Sequence, residues 1–343
     1  MERSRPTMKD VAIAARVSLK TVSRVVNGEP GVTPDTGQRV REAIEALGFL
    51  RNDSARMLRT GQTATVGLVL EDIGDPFYSA LSRGVESVAR SRGSLLLSGS
   101  SEGDAAIERK LALAFCERRV DGLIVVPTSA DHSYLLPEMT AGIPVVFADR
   151  PPGRIDADTV LSDNSGGSRE ATAHLLAGGH RGIGYLGDNP GIFTAQERHR
   201  GYVEAMSGAG EPVAESWVAM GSMTIGKVRA DLERMLAAPA PVTALICGNN
   251  RISVRALHAL ASLDVAVAVI GFDDFELADL LRVTVVAQDP GELGRQAAEL
   301  LFQRMDGDSA PSRRIVIPTR LLQRGSGELP PVAPATPIRK ERP

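Results

Sequence analysis

Two hydrophobic rhythms divide the chain. Near the start, Met8, Val11, Ala12 and Ala15 fall at i, i+3, i+4 and i+7, the spacing of one buried helix face. Ser18 suits the N-cap of a second helix that carries Val22, Val25 and Val26 and stops at Asn27-Gly28; Thr33-Pro34 opens a third with Val40, Ile44 and Leu47. Three short helices in so small a segment make a bundle of DNA-binding size. From Ala64 the pattern changes to apolar, β-rich runs alternating with amphipathic stretches, beginning with Thr65-Val66-Gly67-Leu68-Val69-Leu70 and a helix from Phe77 to Arg92. Further strands are expected at 95–97, 123–126, 144–148, 183–186, 244–247, 265–271 and 283–287. Such βαβ alternation builds parallel sheets covered by helices, and the strands are too many for one small sheet, so two lobes are expected. The stretch 326–343 is Pro-rich and charged, reads as a disordered tail, and lacks the leucine heptads that could build a tetramer.

Composition narrows the class. At 343 residues, with 43% apolar and 24% charged positions, the chain can bury real cores. No stretch approaches the roughly 18 uninterrupted apolar residues of a membrane span. Met1 to Lys9 carries charges where a signal peptide would be apolar, so a cytoplasmic protein with no membrane partner is expected. Cys116 and Cys247 lie outside any CxxC or Cys/His spacing, which suits reduced, buried thiols rather than a disulfide frame or metal site. His132, His174, His180, His199 and His258 are scattered, and neither GxSxG nor HExxH occurs. No catalytic residue, metal or cofactor is expected, and the chain does not read as an enzyme. Gly182-Ile183-Gly184-Tyr185-Leu186-Gly187 is a literal GxGxxG, but that motif cradles a pyrophosphate only as the turn between strand and helix. Here it reads as the strand itself. His180 reads as a helix-end cap.

The net charge of -3 hides an asymmetry. Residues 1–61 hold 11 Lys/Arg against 7 Asp/Glu, while the remainder holds 28 against 35. Only the first segment is attractive to phosphate. On a helical wheel at about 100° per residue, Leu19, Lys20, Ser23, Arg24 and Asn27 share one arc, and Val22 and Val25 point away. Lys20 and Arg24 can donate to guanine in a major groove, and Ser18, Thr21 and Ser23 to phosphates. By themselves, wheel and charge slightly favour a solvated surface helix.

The strings Met8-Lys9-Asp10-Val11-Ala12, Val17 to Asn27 and Val32-Thr33-Pro34 closely resemble the headpiece of the lactose/galactose repressor family. The resemblance implies that Leu19, Lys20 and Arg24 read bases and that Thr7, Ser18, Thr21, Ser23 and Asn27 touch the backbone of a near-palindromic operator bound by a homodimer. Arg16 departs from it, because the family usually has a turn glycine there; a non-glycine at positive φ costs on the order of 1 kcal/mol, and a slightly reshaped turn is expected. Asn52 to Gly61 resembles the family's hinge helix, too short to be stable alone, and the resemblance puts Ala55 on DNA and Leu58 as a wedge in the minor groove.

The resemblance continues to about Arg324, where the chain is similar to a two-lobed periplasmic sugar-binding protein. It implies crossovers near 162–166, 288–291 and 318–322 and a small effector, of carbohydrate type, held between the lobes where strand ends meet. Phe77 and Tyr78 match an aromatic loop, with one expected to be buried and one to touch ligand. Arg198 matches an arginine that hydrogen-bonds effector. Asp149, Asp273 and Gln288 each end an apolar strand and so reach the cleft, whereas Asp274 reads as the cap of a helix from Phe275 to Leu281. Asn250 stands where the family has an effector-binding aspartate, and Gly221, flanked by Met220 and Met223, where many members have an aromatic wall. Those departures leave a ligand-independent repressor as the alternative to an allosteric one. The expected organisation is a headpiece (1–50), a hinge helix (51–61), an α/β two-lobed core (62–325) and a tail (326–343).

Overall fold

The computed structural model describes residues 6–49, 62–221, 224–263 and 265–331. The chain divides into two compact units, Met1–Thr63 and Ala64–Pro343.

The first unit is helical: α1 (Met8–Ala15), α2 (Leu19–Asn27) and α3 (Pro34–Leu47). The Ser18 hydroxyl accepts from the Thr21 amide at 3.1 Å, and Thr33 does the same for Thr36 at 3.4 Å with Pro34 in the first turn, so both starts are fixed by side chains that satisfy orphan donors. Val11, Ala12, Ala15, Val22, Val40 and Ala43 form the core. Phe49 joins them, whereas Leu47 remains exposed. Arg16 adopts φ 53° and ψ 49° and closes α1 as a glycine would, with Val17 donating to the Ala12 carbonyl at 3.1 Å. The turn is therefore not reshaped; the arginine accepts the left-handed conformation and its strain. The expected hinge, with Ala55 and Leu58, lies outside the described residues.

The second unit contains two six-stranded sheets. Lobe 1 has β1 (Thr65–Leu70), β2 (Leu95–Ser100), β3 (Gly122–Val125), β4 (Val145–Ala148), β5 (Asp158–Ser162) and β11 (Arg314–Ile317), in the order β11-β5-β4-β3-β1-β2, all parallel. Lobe 2 has β6 (Ile183–Leu186), β7 (Val218–Ala219), β8 (Ala244–Cys247), β9 (Ala268–Phe272), β10 (Thr284–Ala287) and β12 (Arg320–Leu322), in the order β12-β10-β9-β8-β6-β7, with only β12 antiparallel to its neighbour. Strands β3, β4, β6, β8 and β9 are buried throughout, as parallel strands covered on both faces must be. Strands β5, β7, β11 and β12 escape the sequence pattern because they are short or polar at their ends. Asp158, which opens β5, is buried with Arg304 reaching it at 2.6 Å and the Arg313 amide donating to it at 2.7 Å.

The helices are α4 (Pro76–Ser91), α5 (Ala105–Glu117), α6 (Leu136–Thr140), α7 (Asn164–Ala177), α8 (Phe193–Gly208), α9 (Ile225–Leu236), α10 (Asn250–Leu263) and α11 (Pro290–Met305). The chain passes between lobes after β5, after β10 and between β11 and β12, so α11 is delivered to lobe 1 although it follows a strand of lobe 2. There it packs on α4 so closely that a Cβ on Gly84 would stand 2.2 Å from the Gly291 carbonyl oxygen.

Two expectations fail here. Residues 276–282 form turns rather than a helix; Asp274 accepts from the Phe275 amide at 3.0 Å but is chiefly held by Arg324, at 2.7 and 2.8 Å. The stretch from Ser326 is not wholly a loose tail. Residues 326–331 are placed on lobe 2: Ser326 Oγ donates to the Val269 carbonyl at 2.6 Å, Glu328 accepts from Thr284 at 2.7 Å and meets His174 at 2.8 Å, and the Leu329 carbonyl meets His180 at 2.9 Å. His180 does help to close α7, its backbone amide donating to the Leu175 carbonyl at 3.1 Å, while its side chain is fully buried between Thr243 and this segment. The hydrogen-bonding partners come from lobe 2, and composition does not reveal them.

Candidate functional site

In the helical unit the arc expected to read DNA is built on α2. Ser18, Leu19 and Lys20 are exposed at its start, and Ser23, Arg24 and Asn27 are half-buried one and two turns on. Leu19 is 47% exposed although it is a large apolar residue, so packing within the unit does not explain it. Val22 is fully buried on the opposite side, which fixes which face α2 presents. The Asn27 amide donates to Ser23 at 3.3 Å and to Glu29 at 3.2 Å. Thr7 caps α1, both its amide and its hydroxyl donating to Asp10 at 2.7 Å.

In the α/β unit a cavity opens between the lobes, and all seven residues expected there (Phe77, Tyr78, Asp149, Arg198, Asn250, Asp273 and Gln288) line it. They arrive from the carboxyl ends of β1, β4, β6, β8, β9 and β10 or the helices that follow, the arrangement open parallel sheets impose on a ligand crevice. Of the aromatic pair, Tyr78 is buried and Phe77 half-buried, packed edge to face with ring centres 5.1 Å apart. Both reach the cavity.

Arg198 is clamped. Its Nε donates to Asn164 Oδ1 at 2.7 Å, one terminal nitrogen donates to the Gly248 carbonyl at 2.6 Å and lies 3.5 Å from Asp273, and the guanidinium sits 3.9 Å above the Phe272 ring. Gly201, one turn on, brings α8 against α7: a Cβ there would stand 2.1 Å from the Ser165 carbonyl oxygen. That close approach sets the arginine's reach to Asn164.

Asp149 and Asp273 hold left-handed backbone, φ 68° and 69°, a conformation non-glycine residues adopt at some cost and that collects at functional sites. Asp273 accepts from Gln288 Nε2. Asp149 is almost fully buried, and its Oδ1 has no hydrogen-bond partner among the described residues. Burial pushes its pKa up to about 6, against the opposing pull of Arg150 and Arg198. Arg150 Nε and Gln288 Oε1 are likewise buried and without a hydrogen bond, Arg150 Nε lying 3.4 Å from the other Asp149 oxygen.

Asn250 is buried, and its amide donates across the cleft to Asp75 at 3.3 Å. Asn249 instead caps α10, accepting from the Ile252 amide at 2.8 Å. Arg251 also crosses between lobes, to Asp72 at 2.6 Å and Asp75 at 2.9 Å. No methionine wall forms from Met220, which packs on the core of lobe 2 and is not among the cavity residues; Met223 lies outside the described residues. Sequence reasoning missed Glu71, Arg150, Asp188 and Arg251, which also line the cavity. The rule that picked Asp149, the first polar residue after a buried strand, selects Glu71 after β1 equally well.

The fold and its two sites define a class: a helix-turn-helix unit on the chain of a two-lobed binding core. Residues 7–52 match the model for bacterial regulatory proteins of the lacI family, and residues 63–325 match the model for periplasmic binding proteins and the sugar binding domain of the LacI family. The chain belongs to the LacI family and is a DNA-binding transcriptional regulator. It is 31% identical to the maltose regulon regulatory protein MalI of Escherichia coli (strain K12), the match covering 92% of this chain and 97% of that one. A solved structure of a transcriptional regulator CelR–cellobiose complex is 31% identical, covering 94% of this chain and 100% of the other with TM-score 0.69. The lac repressor dimer bound to operator and the anti-inducer ONPF has TM-score 0.82 at 23% identity, covering 94% of this chain and 99% of that one. No helix among the described residues is long and apolar enough to cross a membrane.

Proposed function

We propose that the protein is a cytoplasmic repressor that binds a near-palindromic operator as a homodimer and is controlled by a carbohydrate-type effector held between the lobes. In this reading Leu19, Lys20 and Arg24 read base edges, Thr7, Ser18, Thr21, Ser23 and Asn27 hold phosphates, and Ala55 and Leu58 enter the minor groove. Phe77, Tyr78, Asp149, Arg198, Asn250, Asp273 and Gln288 hold the effector. The cleft has a binding role and no catalytic one. The observation that carries the reading is the set of buried polar atoms on Asp149, Arg150 and Gln288 at the strand ends that lack a hydrogen bond, because such groups are costly unless something hydrogen-bonds them. Carbohydrate is favoured by the family's sugar binding domain and by the cellobiose of the CelR complex.

The test separates the two sites. Leu58→Ala should weaken operator binding and leave effector binding to the unbound protein intact. Arg198→Ala should keep operator binding and lose the effector's influence on it, since a ligand shifts an equilibrium only through differential affinity. Operator titrations with and without effector, and calorimetry for the effector, check both. A normal response in Arg198→Ala would refute the cleft, and unchanged operator affinity in Leu58→Ala would make the hinge a mere linker. A ligand-independent repressor is the second reading, favoured by the bonds of Asn250 and Arg251 across the cleft, which join the lobes by the protein's own groups. It predicts no change in operator affinity with any sugar.

A further inference from the structure

We propose that the cleft selects an uncharged, hydroxyl-rich ligand and rejects phosphorylated or carboxylated ones, and that Glu71 enforces this by occupying the place on Arg150 that a ligand's anionic group would take. The proposal rests on the effector reading above and adds the chemical class and the residue that sets it.

The argument is an accounting of charge and donors. Three guanidinium groups face the cavity, those of Arg150, Arg198 and Arg251, and a cavity lined by arginines is ordinarily an anion site. Here each is matched by the protein's own carboxylates. Arg150 meets Glu71 at 2.5 Å and Asp149 at 3.4 Å. Arg198 faces Asp273, and Arg251 bridges Asp72 and Asp75. Asp188, also on the wall, accepts from amides, the Asn249 side chain at 2.9 Å and the Asn189 backbone at 2.7 Å. The lining as a whole carries more carboxylates than guanidinium groups.

One terminal nitrogen of Arg150 is also spent as a donor, which removes the paired N–H groups of its fork. Nη1 donates to the Pro127 carbonyl at 3.0 Å; Nη2 donates to Glu71 and, at 2.9 Å, to the Tyr78 hydroxyl, which in turn donates to Glu71 at 3.2 Å. Arg150, Glu71 and Tyr78 thus close a ring, and Arg150 Nε, which lies 3.4 Å from Asp149 Oδ2, makes no hydrogen bond. Two parallel N–H groups are needed to grip a phosphate or carboxylate in bidentate fashion. A hydroxyl needs one donor and offers one, and the atoms left without a hydrogen bond match it: Arg150 Nε donates, while Asp149 Oδ1 and Gln288 Oε1 accept. An incoming anion would instead meet Glu71 and Asp149 at close range, and such like-charge contacts cost several kcal/mol when desolvated.

Two experiments on the full-length protein test this. In calorimetry, neutral pentoses, hexoses and disaccharides are each compared with the matching phosphate, uronate or amino sugar. For any sugar that binds, the neutral member should bind more than about tenfold tighter than its anionic counterpart. A phosphate or uronate that binds as well as its neutral parent, or an amino sugar that binds better, overturns the proposal and leaves the effector reading standing; binding of no member overturns both. In the second experiment the probe is inorganic phosphate and the readout is melting temperature. Glu71→Gln keeps the shape and one hydrogen-bond acceptor while freeing the Arg150 charge, so phosphate should stabilise the variant and not the parent. The gain should vanish in the double variant Glu71→Gln, Arg150→Gln. An equal phosphate effect in the parent, or none in Glu71→Gln, refutes the role of Glu71.

Discussion

The two lobes are the same machine fitted out differently. In each, a helix follows the first strand and packs on a helix delivered by a crossover: α4 on α11 in lobe 1, α8 on α7 in lobe 2. The ninth residue of the first helix is glycine in both, Gly84 and Gly201. Each would drive a Cβ into the carbonyl of the crossover helix's second residue, Gly291 at 2.2 Å and Ser165 at 2.1 Å. Each lobe then ends its fourth strand in a left-handed aspartate whose amide donates at 2.9 Å to the neighbouring strand, Asp149 to Val160 and Asp273 to Val286. The backbone is repeated; the polar partners are not. Asp273 is held by Gln288 and faces Arg198, whereas Asp149 keeps one oxygen unpartnered. One strained aspartate is used to build lobe 2, and its counterpart is left available to a ligand.

The largest expected effect tests the shared scaffold. Gly84→Val and Gly201→Val should each destabilise the core by about 3 kcal/mol or more, because overpacking against backbone cannot be relieved by a rotamer change. Denaturant melts of the two variants should agree. A large loss in one and none in the other would break the equivalence of the helix pairs.

Much of this was legible in the sequence and some was not. Apolar runs ending in a polar residue marked Asp149, Asp273 and Gln288, because a parallel strand buried on both faces exposes its first polar group only at its end. The three headpiece helices were legible through their caps, which are local. What stayed hidden depends on contacts distant in the chain. β5 opens on an aspartate that Arg304 and Arg313, far along the chain, make tolerable. The segment after Ser326 looks loose until His174, His180 and Thr284 are seen to hold it. Arg150 and Arg251 read as ordinary surface arginines until their carboxylates are located across loops and, for Arg251, across the cleft.

The aspartates themselves offer a sharper test of moderate size. Asp273→Asn should destabilise the core by about 1 to 3 kcal/mol, since it weakens a buried charge-assisted network around Arg198. Asp149→Asn should not, and the sign of its pH dependence can be worked out. The folded-state pKa of Asp149 is raised from 3.8 to about 6 by burial, so the folded protein holds this proton more tightly than the unfolded chain. Stability from that proton is fully present below the unfolded value and is lost as pH rises through the folded one. The parent should therefore lose stability relative to Asp149→Asn between about pH 4 and 6 and track it above that. Melting both proteins across this range checks the claim; parallel curves would show that Asp149 is satisfied after all and that the two lobes do not differ there.

The smallest effect concerns the bonds that join the lobes. Arg251 on α10 meets Asp72 and Asp75 at 2.6 and 2.9 Å, but its side chain is 46% exposed, so solvent and salt screen the pair and its worth should be under about 1 kcal/mol. Arg251→Ala should leave the melting temperature almost unchanged, because each lobe keeps its own core. It should still move the balance between lobe arrangements, since Arg251 belongs to lobe 2 and both its partners to lobe 1. Asn250 would then hold Asp75 alone, through a 3.3 Å bond. If these contacts favour the closed cleft, the variant should need more effector for the same change in operator affinity, by a factor of about 2 to 5, with the deficit shrinking as salt rises. A deficit that salt does not diminish would mean that Arg251 contacts the ligand itself. In that case lobe 2 supplies two arginines to the effector, and the division between a building aspartate and a binding aspartate would have to be redrawn around α10.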